Sequence, residues 1–219
     1  DGSSSYQLEG DQTLNLDATT GTARLIVTGG SHTWTTPVTA ETQTSVEVHA
    51  GAELTLAGRL DFENQQVIKS GSGRLYLDSG FTAQAGTLQH NGGLVGGNGV
   101  VNGDLTVGSA AVAPGHDLGQ LTVAGDFTMG SDSTLEIEIG GTSAGQFDTL
   151  HVDQRAYLNG TLSVTLTDNF FADLGEQFPV VQSTSVANQG ITLGGPDAGK
   201  FKLVFGAGQL LLESIAPPP

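Results

Sequence analysis

Gly119-Gln-Leu-Thr-Val-Ala-Gly-Asp-Phe-Thr-Met-Gly-Ser-Asp-Ser-Thr-Leu-Glu-Ile-Glu-Ile-Gly-Gly141 decides the fold. Leu121 and Val123 alternate with polar neighbours, as do Leu135, Ile137 and Ile139. Successive side chains of a strand point to opposite faces, so a period of two marks a half-buried strand. Glycine, serine and aspartate separate the apolar passes, and these residues suit tight corners.

The same pattern extends outward in both directions. Upstream lie Leu14/Leu16, Leu25/Val27, Val46/Val48, Leu54/Leu56, Leu75/Leu77 and Leu105/Val107. Downstream lie Leu150/Val152, Leu162/Val164/Leu166, Phe201/Leu203/Phe205 and Leu210/Leu212. Gly71-Ser-Gly73, Asn91-Gly-Gly93, Gly96-Gly-Asn-Gly99 and Asn102-Gly-Asp104 supply corners. No stretch of ten residues keeps a 3.6 period, so almost no helix is expected; Asn169–Leu174 is the one candidate turn of one.

Many short strands fit a sandwich or barrel, or a β-solenoid of stacked coils. Very short strands, glycine corners and an aromatic content of 6% favour the solenoid. The expectation is a single all-β domain over 1–215, a parallel β-helix. Residues 1–45 would be an N-terminal cap or first coils. Residues 148–215, with five of the nine phenylalanines, would form hairpin-like C-terminal cap strands. Ala216-Pro-Pro-Pro219 reads as the start of a stiff linker in a longer parent chain.

With 23 acidic and 7 basic residues the formal charge is −16. Such a surface repels nucleic acid and anionic lipid, so neither is expected as a partner. It attracts hard cations, and Ca²⁺ is the cofactor the carboxylates would take if they take one. The absence of cysteine removes disulfides, thiolate zinc sites and thiol nucleophiles together. No apolar run reaches the roughly 18 residues a membrane helix needs, and membrane insertion by this segment is not expected.

Gly86-Thr-Leu88, Gly93-Leu94, Gly96-Gly-Asn-Gly99, Val100-Val-Asn-Gly-Asp-Leu-Thr-Val107 and Val112-Ala-Pro-Gly115 follow one another in order. Gly119–Thr128, Ser133–Gly141 and Phe147-Asp-Thr-Leu150 continue the series. Together these resemble the C-terminal passenger region of bacterial autotransporters and related surface-anchored proteins. Val67–Leu77 is similar to the β-strand repeat associated with those passengers, and Phe201–Glu213 resembles their closing strand pair. The likeness covers residues 32–213. It implies a right-handed β-helix with a C-terminal cap, exported and displayed at the bacterial cell surface. Pro114-Gly-His-Asp-Leu-Gly119 departs from the family's turn by placing Asp117 where serine is usual.

Candidates for chemistry are few. Glu136 and Glu138 share the outward face of a strand, their Cα atoms about 6.5–7 Å apart, a spacing that could hold a cation or flank a glycosidic bond. The ordinary role of such acids is a solvated strand face. Asp61 and Glu63 form a similar pair. Trp34, the sole tryptophan, could stack on a sugar ring or plug the end of the core. Tyr6 and Tyr76 offer weaker versions of the same. Gly141-Thr-Ser-Ala-Gly145 matches a serine-hydrolase pattern, but no helix is expected after Ser143 and His151 lies on an alternating strand. His32, His49, His90, His116 and His151 show no short metal-ligand spacing. The reading is a non-enzymatic structural and interaction module, a stalk or cap. The alternative is a carbohydrate-binding adhesin or matrix module with a polysaccharide partner. A β-helical polysaccharide hydrolase or lyase comes third, because such sites want bases along the face and this chain has few.

Overall fold

The computed structural model describes residues 4–61, 65–78 and 86–215. The chain is all-β. Among the described residues there is no α-helix, and the one helical turn is a 3₁₀ turn at Ala198–Lys200. The expected turn of helix at Asn169–Leu174 does not form. Asp168 and Asn169 take φ of 53° and 56°, the left-handed region that short polar side chains tolerate best, and the chain turns there instead. No helix among the described residues is long and apolar enough to cross a membrane.

Sheet one contains β1 (Tyr6–Leu8), β4 (Ser31–Trp34), β7 (Glu53–Leu56), β10 (Arg74–Leu77), β12 (Leu94–Gly97), β15 (Ala111–Pro114), β18 (Thr134–Ile139), β20 (Thr161–Leu166) and β22 (Thr192–Gly194), in that spatial order. Sheet two runs β3 (Ala23–Val27), β6 (Thr44–Val48), β9 (Gln66–Ser70), β11 (Thr87–His90), β14 (Asp104–Val107), β17 (Phe127–Met129), β19 (Thr149–Leu158) and β21 (Gln177–Asn188). It carries β13 (Val100–Val101) and β16 (Gln120–Val123) beside that path, and β24 (Gln209–Ser214) and β23 (Phe201–Gly206) close it. Sheet three is β2 (Leu14–Leu16), β5 (Val38–Ala40) and β8 (Leu60–Asp61). The first strands therefore visit the three sheets in rotation, and later ones pass between the first two. Each strand pairs in parallel with its neighbours in the same sheet, except that β24 pairs antiparallel with both β21 and β23.

Register turns the alternation into ladders. Leu54, Leu75, Val95, Val112, Leu135 and Leu162 pair in one continuous column of sheet one, none more than 2% exposed. Val67, Leu88, Leu105, Phe127 and Ala156 form the corresponding column of sheet two. Each fully buried aliphatic or phenylalanine contributes about 1.5–3 kcal/mol. Leu77, Val107, Leu121, Val123, Ile137 and Ile139 are buried as their alternation requires. At the β23–β24 end, Phe178 meets Phe147, Phe170 and Phe201 edge-on, at centroid separations of 5.6, 6.1 and 6.0 Å.

Polar ladders run beside the apolar ones. Gln43 Nε2 donates to Gln66 Oε1 at 2.6 Å, and Gln66 Nε2 donates to Gln89 Oε1 at 3.0 Å, each pair 23 residues apart. Stacking places like residues of successive layers side by side, so each amide can donate to one neighbour and accept from the other. Gln66→Ala removes both bonds and leaves two amides half-satisfied. We expect a loss of about 1–2 kcal/mol, read as a lower urea midpoint. An unchanged midpoint would mean that water replaces the ladder without cost.

A second polar insertion sits inside sheet two. Val46, Lys69, His90 and Val107 occupy one inward column, and both Lys69 and His90 are fully buried. Lys69 Nζ donates to the carbonyls of Gly71, Gly73 and Gly92 at 2.8, 2.8 and 2.6 Å. The ammonium thus ties two successive corners together. Gly93, at φ 74°, lets the chain pass so close that a Cβ there would lie 2.7 Å from Nζ. Burial lowers the Lys69 pKa to about 8.

Candidate functional site

The outward face of sheet one holds the site. Thr55, Tyr76, Gly96 and Ala113 pair in sequence across β7, β10, β12 and β15. Gly96 and Ala113 are small, and the Tyr76 ring lies over the gap they leave; a Cβ on Gly96 would come within 3.2 Å of Tyr76 Cε1. Beyond them stands Glu136 on β18, paired with Ser163 of β20, while Glu138 pairs with Thr165. A large residue, two small ones and a carboxylate in line make a depression. It is a cleft of about 370 Å³ whose lining includes Arg74, Tyr76, His116, Asp117, Glu136 and Glu138.

The corner after β15 supplies one wall. Gly97 and Gly115 exchange two backbone hydrogen bonds of 2.9 Å, and Gly115 takes φ 88°, which turns the chain so that His116 and Asp117 follow on the rim. The His116 ring stacks on Tyr76 at 3.9 Å between centroids and 24° between planes. Its Nε2 lies 3.1 Å from both carboxylate oxygens of Asp78, which fixes the ring.

Asp148 forms the base of the cleft at the β18 side. Its Oδ1 accepts from Gly119 N–H and its Oδ2 from Glu138 N–H, each at 2.8 Å, and it is 1% exposed. Burial drives this carboxyl up to about 7 against the pull of those two donors. With both oxygens engaged by backbone, Asp148 positions Glu138. Burial also raises Glu136, with Arg74 pulling it back, and raises Glu138, helped by repulsion from Asp117, Glu136 and Asp168. Among the described residues, the side chains of Asp117, Glu136 and Glu138 make no ion pair and no hydrogen bond.

The structure brings Glu136 and Glu138 together, half-buried in a concavity where a freely solvated strand face was the ordinary expectation. Among the described residues, no three His, Asp or Glu side chains are grouped to hold a metal ion. Trp34 lies elsewhere, paired with Leu8 and Leu56, half-buried and packed against the core as an end plug would be. It also borders a groove with Tyr6, Ile26 and His32. Tyr6 stacks on His32 at 5.3 Å. Asp61 pairs with Arg59 at 3.1 Å, while Glu63 and the 216–219 linker lie outside the described residues. Ser143 sits in an exposed turn, its N–H bonded to Gln146 Oε1, and His151 pairs with Asp153, so no nucleophile–base contact exists between Ser143 and His151. His49 pairs with Glu47.

Reading the chain by itself singled out the two glutamates but gave no role to His116, Asp117 or Asp148. The only local signal for His116 and Asp117 is the corner Gly115-His-Asp-Leu-Gly119, which places charge beside a glycine turn, and Asp148 has none of that kind. No protein-family model matches this chain, and no curated protein is similar to it.

Proposed function

We propose that the chain is a right-handed parallel β-helix serving as a non-enzymatic structural and interaction module, a stalk or cap, of an exported bacterial cell-surface protein. The observation that carries this reading is the pairing itself. Strands join their same-sheet neighbours in parallel and in chain order, until β24 and β23 cross the end of sheet two antiparallel. A crossover between parallel strands of one sheet is right-handed in nearly all cases, and the right-handed sense is proposed on that rule. The antiparallel pair covers the first half of the β21 edge, from Gln177 to Gln182, which would otherwise offer unpaired backbone. The acidic exterior keeps such a module soluble.

Stacked folds accept whole repeats because each layer contacts only its neighbours. Duplicating residues 94–110 between Ala110 and Ala111 adds a whole layer and is expected to leave a cooperative melt. Duplicating only 94–101 throws the next strands out of register and is expected to unfold the domain. Equal loss in both would overturn the layered reading. Surface display is tested separately with an antibody to the purified domain: protease treatment of intact source cells should remove the signal, and a protected signal would overturn export.

The cleft favours a second reading, a carbohydrate-binding adhesin or matrix module. A concavity with an aromatic pair and several convergent polar groups has the general form of a small-ligand site, and the ring faces and hydroxyls suit a sugar. A polysaccharide panel with and without chelator tests it. Binding lost on chelation would make Ca²⁺ part of the site, with Glu136 and Glu138 as the carboxylates to replace first.

A further inference from the structure

We propose that the cleft over β10, β12, β15 and β18 is a subsite for an amino sugar, with its ammonium group at Glu138 and Glu136 and a ring hydroxyl at Tyr76. This rests on the carbohydrate-binding reading and narrows it to one ligand chemistry. Two independent observations meet here. Tyr76 is only 8% exposed, yet its hydroxyl has no hydrogen-bond partner among the described residues. The ring is buried while the hydroxyl stays open to the cleft, so it is available to hydrogen-bond something that enters there.

The second observation is charge. Glu136, Glu138 and Asp117 crowd one side of the cleft without an ion pair among the described residues, and Arg74, the one lysine or arginine in the lining, acts on Glu136 without bridging to it. Partial burial makes their ionisation costly, and a bound ammonium offsets that cost through charge-assisted hydrogen bonds. A neutral sugar leaves the repulsion in place, and a uronic acid increases it. Ser163 and Thr165, paired with the two glutamates, add hydroxyls on the same floor. His116, anchored by Asp78 and exposed on its outer side, gives a flat face for the sugar ring. About 370 Å³ suits a unit of one or two sugars.

Titration calorimetry at low salt, with the dimer of β-1,4-linked glucosamine, its fully N-acetylated counterpart, cellobiose and dilysine, tests this. The glucosamine dimer is expected to bind at least tenfold more tightly than the other three. Glu138→Gln should remove most of that preference, and Tyr76→Phe should weaken the dimer severalfold, with melting curves confirming that both variants fold. Asp132→Asn, an exposed acid outside the cleft, should bind like wild type. Equal binding of the amine and acetylated dimers would overturn the amino-sugar subsite and leave carbohydrate binding standing. Silence toward every saccharide, here and across the polysaccharide panel, would remove both. Dilysine binding as tightly as the glucosamine dimer would replace the sugar by a basic peptide. An equal loss in Asp132→Asn would reduce the effect to net charge.

Discussion

Ile137→Asp leaves no cooperatively folded protein at 25 °C. Ile137 is 1% exposed on β18, paired with Val164 and flanked along its strand by Leu135 and Ile139 on the same inward face. Removing the side chain alone costs about 2–5 kcal/mol in transfer and cavity terms. The carboxylate then either ionises in an apolar interior or stays protonated there, and each route costs several kcal/mol more. The sum matches the roughly 5–15 kcal/mol that holds a whole domain together. Two neighbours calibrate the result. Ile137→Val should cost only about 0.5–1.5 kcal/mol. Glu136→Gln, one residue away on the other face, should leave the melt close to wild type. Circular dichroism melts of the three variants decide the matter. A cooperative transition near wild type in Ile137→Asp would show that the strand faces are inverted.

That contrast also marks how far the sequence can be read. Leu135, Ile137 and Ile139 announce their face because a period of two requires only local information. The glycine corners do the same, and Gly97 and Gly115 show why: each takes a positive φ where the chain turns. Asn169–Leu174 misleads because the two residues that break it, Asp168 and Asn169, are ordinary polar residues in a helix first turn and equally ordinary in a left-handed turn. Half of the candidate site was visible, since Glu136 and Glu138 follow from alternation. The other half depends on pairing between strands far apart in the chain. Nothing near Tyr76 says that Gly96 and Ala113 will lie beside it, or that His116 will return to stack on it. The same distance hides the Gln43–Gln66–Gln89 ladder. Lys69 and His90 were hidden by their type. Both stand at inward positions of alternating strands, where an apolar residue is expected, and only the corner carbonyls explain the lysine.

His90 and Asp148 make the stability of this domain nearly level in acid, and removing either one exposes a steep slope. His90 is fully buried, its Nε2 donating to the Ala111 carbonyl at 2.8 Å. Burial is the main cause of a pKa lowered from 6.5 to about 4, with the Lys69 charge acting in the same direction. The folded state therefore binds fewer protons than the unfolded chain between pH 4 and 6.5. Stability from this group is complete above 6.5 and is lost as pH falls toward 4, by about 3 kcal/mol. Asp148 works in the opposite sense. Its carboxyl rises from 3.8 to about 7, so the folded state holds an extra proton across that interval, and stability is lost as pH rises through 7, by about 4 kcal/mol. Glu136 and Glu138 add to the Asp148 slope in the same direction, less strongly because they are partly exposed. Between pH 4 and 6.5 the two slopes oppose each other. Urea midpoints measured from pH 4 to 7 should be close to level in the wild type until 6.5 and then decline. His90→Leu should decline across the whole range as pH rises. Asp148→Asn should instead climb from pH 4 to 6.5, whatever its baseline cost from facing a backbone N–H with an amide NH₂. The double variant should be nearly flat. The slope is the readout, so a general loss of stability in either variant does not obscure it. A His90→Leu profile parallel to wild type would mean that His90 takes up its proton inside the folded protein without penalty, which a fully buried imidazole beside the Lys69 ammonium could do only if the interior opened to water.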